Sequence, residues 1–179
     1  LVESDEYRAS ACMQLIRREH LLSNSLRFLP IVHEDEPFTL KSILAAKRVA
    51  RVNDEFYERR VRDGSIMTTP AFRNILGKAY AAKEITQFAW GAALDGKSAT
   101  AVSCVLTSMA AGFYRSFRAL PDAEKNRVSE LHPIDRAWFE IMKGGSSAEY
   151  ELLKNSLSCR IGFFVTAPLR YFMRLLGVR

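Results

Sequence analysis

The sequence contains few of the residues that build disulfide-bonded or zinc-stabilised scaffolds. There are 3 cysteines and 3 histidines among 179 residues, and Cys12, Cys104 and Cys159 lie far apart without a paired motif. Neither a disulfide framework nor a metal site is therefore predicted within this chain. The cysteines are expected to be buried thiols in a reducing compartment.

Long apolar runs are also scarce. The longest stretch without a charge covers 17 residues, 98–114, which only reaches the lower bound for a membrane span. Serines and threonines dilute its apolar character. One set of apolar residues recurs at helical spacing: Val102, Leu106, Met109, Phe113, Phe117 and Leu120. This periodicity predicts a core helix rather than a span.

The composition is that of a folded, basic protein. A hydrophobic content of 48% predicts a packed core, and the length suits one domain or a subdomain with an extension. The net charge of +6 favours anionic partners, either nucleic acid, anionic lipid or a phosphorylated substrate. Because no recognition-helix or RNA-binding signature is present, nucleic acid is the least favoured of these.

Two adjacent carboxylates, Glu34 and Asp35, precede Pro37 where a loop is predicted to enter a helix over 37–46. An acidic residue ahead of a first-turn proline is an ordinary helix start. A helix N-terminus also favours the anionic form that a general base requires. The residues alone leave both interpretations of Asp35 open. His33 either orients this loop through a hydrogen bond or contributes a ligand, although no second histidine lies nearby.

A cluster of arginines follows the acidic pair. Strand patterns over 48–52 and 55–61 flank an Asn-Asp turn and predict a β-hairpin. On the second strand Arg60 and Arg62 would share one face, where two guanidiniums can bind a phosphate in bidentate fashion. A solvated charged face is the other interpretation of the same arginines.

Three segments together resemble the family 2 glycosyltransferases of bacteria, in particular those that build surface polysaccharides such as capsule and exopolysaccharide. They are residues 12–19 (CMQLIRRE), 28–38 (FLPIVHEDEPF) and 57–68 (YERRVRDGSIMT). Their order and spacing match the family over roughly residues 10–70, which is under half of the chain.

The resemblance implies the C-terminal part of a GT-A nucleotide-sugar fold, an α/β fold that is mostly α in this chain, and inversion at the anomeric carbon. Asp35 matches the catalytic base that deprotonates the acceptor hydroxyl, and Glu34 matches its acidic neighbour in the acceptor pocket. We place His33 with the substrate-binding residues. For Arg60, Arg62 and Ser65 the resemblance identifies only the region in which they lie, and their role is our own inference. We assign them to the diphosphate leaving group or to a phosphate of the acceptor.

In this family the nucleotide-binding strands and an Asp-x-Asp motif for a divalent metal lie before the matched region. No Asp-x-Asp occurs here. We therefore expect this chain to be the C-terminal portion of a longer enzyme, inactive alone, whose Mg²⁺ or Mn²⁺ ligands lie outside it. Residues 1–69 are predicted to form the acceptor-side part of the GT-A domain, and 70–179 a helical extension.

Helices are predicted over residues 10–22, from a Thr69 cap to about residue 94, from Pro121, over 133–143 and over about 148–157. No acidic residue follows Glu151, and Pro168 is expected to open a basic amphipathic helix. Such a helix either lies on anionic lipid or packs on the bundle with its arginines in water. The predicted location is the cytoplasm, free or peripheral at the inner face of the cell membrane.

The sequence therefore predicts an enzyme that transfers a sugar from a nucleotide-sugar donor to a saccharide or lipid-linked saccharide. The alternative is a non-catalytic basic helical module that binds an anionic membrane or nucleic acid.

Overall fold

The structure, a computed structural model, describes residues 7–58, 60, 71–92 and 94–143. This described part is mostly helical and contains no strand, so the mostly helical character predicted for the chain is confirmed. The helices are α1 (Arg18–Ser23), α2 (Asp35–Ala45), α3 (Phe72–Gly91), α4 (Gly96–Arg118), α5 (Asp122–Asn126) and α6 (Pro133–Lys143). Short 3₁₀ turns occupy Ala11–Met13 and Arg127–Glu130.

Helices α3 and α4 form the centre of the fold. They pack against each other, α2 packs on α3, and α6 packs on both α3 and α4. The apolar residues of α3 and α4 recur every three or four positions, so each helix buries one stripe. The buried stripes comprise Ile75, Ala79, Ala82 and Ile85 on α3, and Val102, Val105, Met109 and Phe113 on α4. Leu40 of α2 belongs to the same core.

Phe139 of α6 closes this core. It is fully buried, and its ring meets Phe113 edge-on at 4.8 Å between centroids. Phe117 and Phe72 lie 5.5 and 5.8 Å away. Burial of one phenylalanine contributes about 2 kcal/mol, and edge-on pairs add to this. The aromatic cluster therefore holds α6 against α3 and α4.

The uncharged stretch 98–114 lies within α4, which confirms the predicted core helix. Asp95 caps the helix, since its Oδ1 accepts a hydrogen bond from the Ser98 N–H at 2.8 Å. Within the part of the chain that the structure describes, no helix is long and apolar enough to cross a membrane.

The prediction of a helix over residues 10–22 is wrong for residues 10–17 and confirmed for residues 18–22. Its first part is only a 3₁₀ turn, the backbone of Gln14 is extended, and α1 begins at Arg18. The Gln14 amide donates to Thr39 Oγ1 at 2.6 Å and to the Ser10 carbonyl at 3.1 Å. Because Thr39 is a buried position of α2, this tertiary contact overrides the local helical pattern.

The predicted β-hairpin is absent from its described part. Residues 46–58 contain no strand, and residues 47–58 are exposed throughout. An isolated two-stranded hairpin is marginal in water unless a further strand or a helix covers one face. The segment has no such cover among the described residues, so strand propensity alone does not produce strands there.

The expected burial of the cysteines is wrong for Cys12 and Cys104, which are both exposed. The described residues do not include Cys159, the helix predicted over 148–157 or the basic tail, by which we mean residues 152–179. The division predicted between residues 69 and 70 stays a prediction.

Candidate active site

Three of the predicted site residues lie together in an acidic turn, which we define as residues 33–36. Glu34 is the N-cap of α2 and Asp35 is its first residue. The Glu36 N–H donates to the His33 carbonyl at 3.2 Å, which closes the turn. The acidic pair therefore acts as a helix start, as predicted, and holds two carboxylates at a helix N-terminus.

The backbone of His33 is in the left-handed region, with φ of 66°. Histidine is among the few residues that are enriched there, but the conformation costs about 1 kcal/mol or more. Such a conformation persists when the surrounding structure determines it. Its position directly before the carboxylates sets the direction from which the chain enters α2.

At Gly77, helix α3 packs against Val32, the residue that precedes the acidic turn. A Cβ at Gly77 would lie 2.4 Å from the Val32 carbonyl oxygen, closer than atoms can approach. Only glycine therefore fits at position 77, where α3 packs against the backbone of Val32.

The first turns of α2 are firmly anchored. Pro37, Phe38, Thr39 and Leu40 are all buried. The Phe38 ring stacks on Phe28 at 4.0 Å between centroids. Because these contacts fix the residues that directly follow the carboxylates in the chain, the acidic turn is attached to a well-packed helix.

Asp35 is half-buried, and its pKa is raised. Burial is the main cause, and the negative charge of Glu34 adds to it. Hydrogen bonds from the backbone N–H groups of Asp35 and Glu36 act in the opposite direction. A carboxylate with a raised pKa is a stronger base than one in water, which suits proton abstraction from an alcohol.

Glu36 has no predicted role in the sequence analysis, although it is the most perturbed carboxyl group of the turn. Burial, and then the charge of Asp35, raise its pKa from 4.5 to about 7, while Lys78 opposes the rise. Burial and the charges of Glu36 and Asp35 also raise the pKa of Tyr7. The charge of Glu36 therefore acts on Tyr7 in the N-terminal segment, and that of Lys78 in α3 acts on Glu36.

Two polar atoms beside the acidic turn are buried without a hydrogen-bond partner among the described residues: Tyr7 Oη and His33 Nε2. Burial lowers the pKa of His33, and the nearby charge of Lys78 lowers it further against the opposing effect of Glu34. The imidazole is therefore favoured in its neutral form, which can both donate and accept a hydrogen bond.

Tyr7 and Lys78 could not be identified as site residues from the pattern, because they are distant from residues 33–36 in the chain. The one local signal is Gly77, a glycine inside a strongly helical pattern, which often marks a close approach of the backbone. Of the predicted arginines, Arg60 is exposed to solvent. Arg62 and Ser65 lie outside the described residues, so the proximity of the arginines to Asp35 stays a prediction.

Among the residues that the structure describes, no group of three or more His, Cys, Asp or Glu side chains could hold a metal ion. The carboxylates of the acidic turn therefore do not form a metal centre with the described side chains around them. The divalent cation implied by the resemblance remains an expectation for the complete enzyme.

Comparison of the chain with protein-family models, with curated proteins and with solved structures found no match. Function is therefore inferred from the sequence motifs and from the geometry of the acidic turn.

Proposed function

We propose that this chain is the acceptor-side and C-terminal part of an inverting family 2 glycosyltransferase with a GT-A fold. The complete enzyme transfers a sugar from a nucleotide-sugar donor to a hydroxyl of a saccharide or lipid-linked saccharide in surface polysaccharide biosynthesis. The motif resemblance supports this assignment. The observation that carries it is the half-buried Asp35 carboxylate, held on a rigid helix start with a raised pKa.

In this mechanism Asp35 is the general base. Its carboxylate takes the proton of the acceptor hydroxyl while that oxygen attacks the anomeric carbon of the donor sugar. The bond to the nucleoside diphosphate breaks on the opposite face, which inverts the configuration. Burial raises the pKa of Asp35, which increases its affinity for the transferred proton.

The other residues of the acidic turn bind the acceptor. Glu34 accepts hydrogen bonds from sugar hydroxyls, and we assign His33, whose neutral imidazole can both donate and accept, to the same ligand. We assign three further residues, Arg60, Arg62 and Ser65, to the departing diphosphate or to a phosphate of the acceptor. Positive charge there stabilises the negative charge that develops during the reaction. A divalent cation, when bound, neutralises the diphosphate. We place its ligands outside the described residues, which contain no suitable group.

The test replaces Asp35 by asparagine in the complete enzyme, with the donor first found by a hydrolysis screen across nucleotide sugars. Loss of a positioned base is expected to lower the rate of sugar transfer by about 100-fold or more. Asp95→Asn is the matched control, since Asp95 is an exposed cap at the start of α4 and asparagine also caps helices. If Asp35→Asn and Asp95→Asn transfer sugar at the wild-type rate, the proposal is wrong.

A further inference from the structure

Residues 10–28, which we call the outer segment, are attached to α2 near both of their ends. The Gln14 amide donates to Thr39 Oγ1 at 2.6 Å. The Phe28 ring stacks on Phe38 at 4.0 Å between centroids. Because Phe38 and Thr39 are neighbours near the start of α2, both ends of the outer segment lie beside the helix start that carries the acidic turn.

The side chains of the outer segment that do not contact α2 include several large apolar ones in solvent. Leu15 is fully exposed, and three more are about half exposed or above: Met13 at 65%, Phe28 at 52% and Leu22 at 47%. Met13 and Leu15 lie on either side of the anchored Gln14. A single exposed apolar side chain is ordinary, whereas several close together are typical of an interaction site.

The exposed charge of the outer segment is mainly positive. Arg17, Arg18 and Arg27 are exposed, and the one acidic residue among them is Glu19. Three arginines against one glutamate give the segment a net charge of +2. The nearby carboxylates of the acidic turn are partly buried, so the arginines are the more exposed charges. Arginines beside exposed apolar side chains suit the surface of an anionic bilayer, where the apolar groups enter the lipid and the guanidiniums reach the phosphates.

We infer that the outer segment binds the surface of a bilayer that contains anionic phospholipid, with its apolar side chains among the lipid chains and its arginines at the headgroups. This surface is separate from the basic tail. The inference deepens the proposed function and rests on it in one respect, since it makes the acceptor lipid-linked and brings it to Asp35 from the same bilayer.

Charge distinguishes the outer segment from the other exposed apolar stretch of the described chain. Residues 47–58 also expose apolar side chains, such as Val52 at 60% and Phe56 at 81%. Their three basic residues are balanced by three acidic ones, so this stretch has no net attraction to anionic lipid. A second copy of the chain is a poor partner for the outer segment, because pairing the segment with itself brings like charges together.

The first experiment uses two exposed cysteines as probes, Cys12 in the outer segment and Cys104 on α4. Each carries an environment-sensitive fluorophore in a 179-residue chain whose other cysteines are serine. The chains are mixed with vesicles of phosphatidylcholine and phosphatidylglycerol that contain doxyl-labelled lipid as a quencher. We expect quenching at Cys12 and little at Cys104. Absence of quenching at Cys12, or equal quenching at both, overturns the inference.

The second experiment measures the partition of charge variants onto the same vesicles. Arg17→Gln/Arg18→Gln should weaken binding about 25-fold at low salt, roughly 5-fold for each arginine. The control Lys97→Gln/Arg118→Gln removes the same charge from exposed positions of α4 and should bind as the wild type does. Equal weakening by the two pairs overturns the inference.

The apolar contribution is tested by Leu15→Ser, with Val52→Ser as its control at another exposed apolar position. Loss of a leucine that enters the lipid should weaken vesicle binding by about 10-fold or more. Val52→Ser should leave binding unchanged. Equal binding by the two variants contradicts insertion of Leu15.

Other occupants of the surface are detected through the rate at which a maleimide modifies Cys12 without vesicles. Slow modification in the complete enzyme at every dilution would show that the rest of the enzyme covers the segment. A rate that falls as the concentration of the chain rises would show that a second copy does, and either result overturns the inference. Since vesicle binding needs no activity, its failure overturns this inference alone, whereas full activity of Asp35→Asn overturns the proposed function.

Discussion

The Glu124 carboxylate accepts a hydrogen bond from the backbone N–H of Phe72, with Oε2 and N 3.0 Å apart, across 52 positions of the chain. Phe72 is the first residue of α3, and the preceding Ala71 offers no capping side chain. Since the first N–H groups of a helix lack partners within it, α3 obtains its cap from α5. This contact secures the start of the helix that carries Gly77 and Lys78.

Glu124→Ala should therefore lower the free energy of unfolding by about 1 kcal/mol, the usual cost of a lost helix cap. Urea denaturation of the variant and the wild type measures the difference. Glu130→Ala is the control, because its carboxylate is 70% exposed and makes only a long contact of 3.8 Å to Arg127. Equal stability of the two variants would contradict a capping role for Glu124.

Gly77→Ala and Gly112→Ala should change stability in opposite directions. The Gly77 Cβ would meet backbone at 2.4 Å, which forces a shift of the chain and costs about 1–3 kcal/mol. At Gly112 the nearest atom is 3.8 Å away, so alanine should stabilise α4 by up to about 1 kcal/mol through its better helix propensity. Thermal denaturation compares them. Equal melting temperatures of the two variants would show that α3 does not pack closely against the backbone of Val32 at position 77.

Glu36 should make stability fall as the pH rises from about 4.5 to about 7. In this window the unfolded chain has lost the Glu36 proton, while the folded chain keeps it because its pKa is raised to about 7. The loss is at most about 3 kcal/mol. Burial of neutral His33 acts in the opposite direction near its own pKa, so the wild type is compared with Glu36→Gln in denaturant titrations at several pH values. The variant should be less sensitive to pH, and an identical pH dependence would contradict the burial of this carboxyl group.

Phe139→Ala should destabilise the fold by about 3–5 kcal/mol, the range for removal of a buried aromatic ring. The ring contacts Phe72, Phe113 and Phe117, so its loss opens a cavity between three helices. Ile134→Ala on the same helix is the control, because Ile134 is 55% exposed. Chemical denaturation should separate the two variants by at least about 2 kcal/mol.

The basic tail provides a test of the membrane interpretation. If the tail lies on anionic lipid, the double variant Arg170→Gln/Arg174→Gln should weaken binding to vesicles that contain phosphatidylserine, since each basic residue near the surface contributes about 1 kcal/mol. Lys97→Gln/Arg118→Gln removes the same charge from exposed positions of α4 and should bind as the wild type does. Equal weakening in both pairs would indicate a general charge effect.

Most of the helices follow from local patterns. Four local signals are sufficient to predict these elements: the apolar periodicities of α3 and α4, Pro37 near the start of α2, Asp95-Gly96 at the start of α4, and Pro133 at the start of α6. These signals are local because helix hydrogen bonds connect residues four apart and caps act within one turn. The helix start at Glu34 and Asp35, and with it the candidate base, belongs to this predictable part.

The sequence by itself determined the helical class, the position of the acidic turn and the basic character of the chain. Only the tertiary structure decided that Gln14 is extended and donates a hydrogen bond to Thr39, although the local pattern is helical. It also decided that residues 46–58 form no strand. Likewise, it placed Tyr7 and Lys78, which are distant in the chain, near enough to Glu36 for their charges to interact. Contacts between residues so far apart depend on how helices pack, and a charge acts through space on whatever lies near it, irrespective of sequence separation.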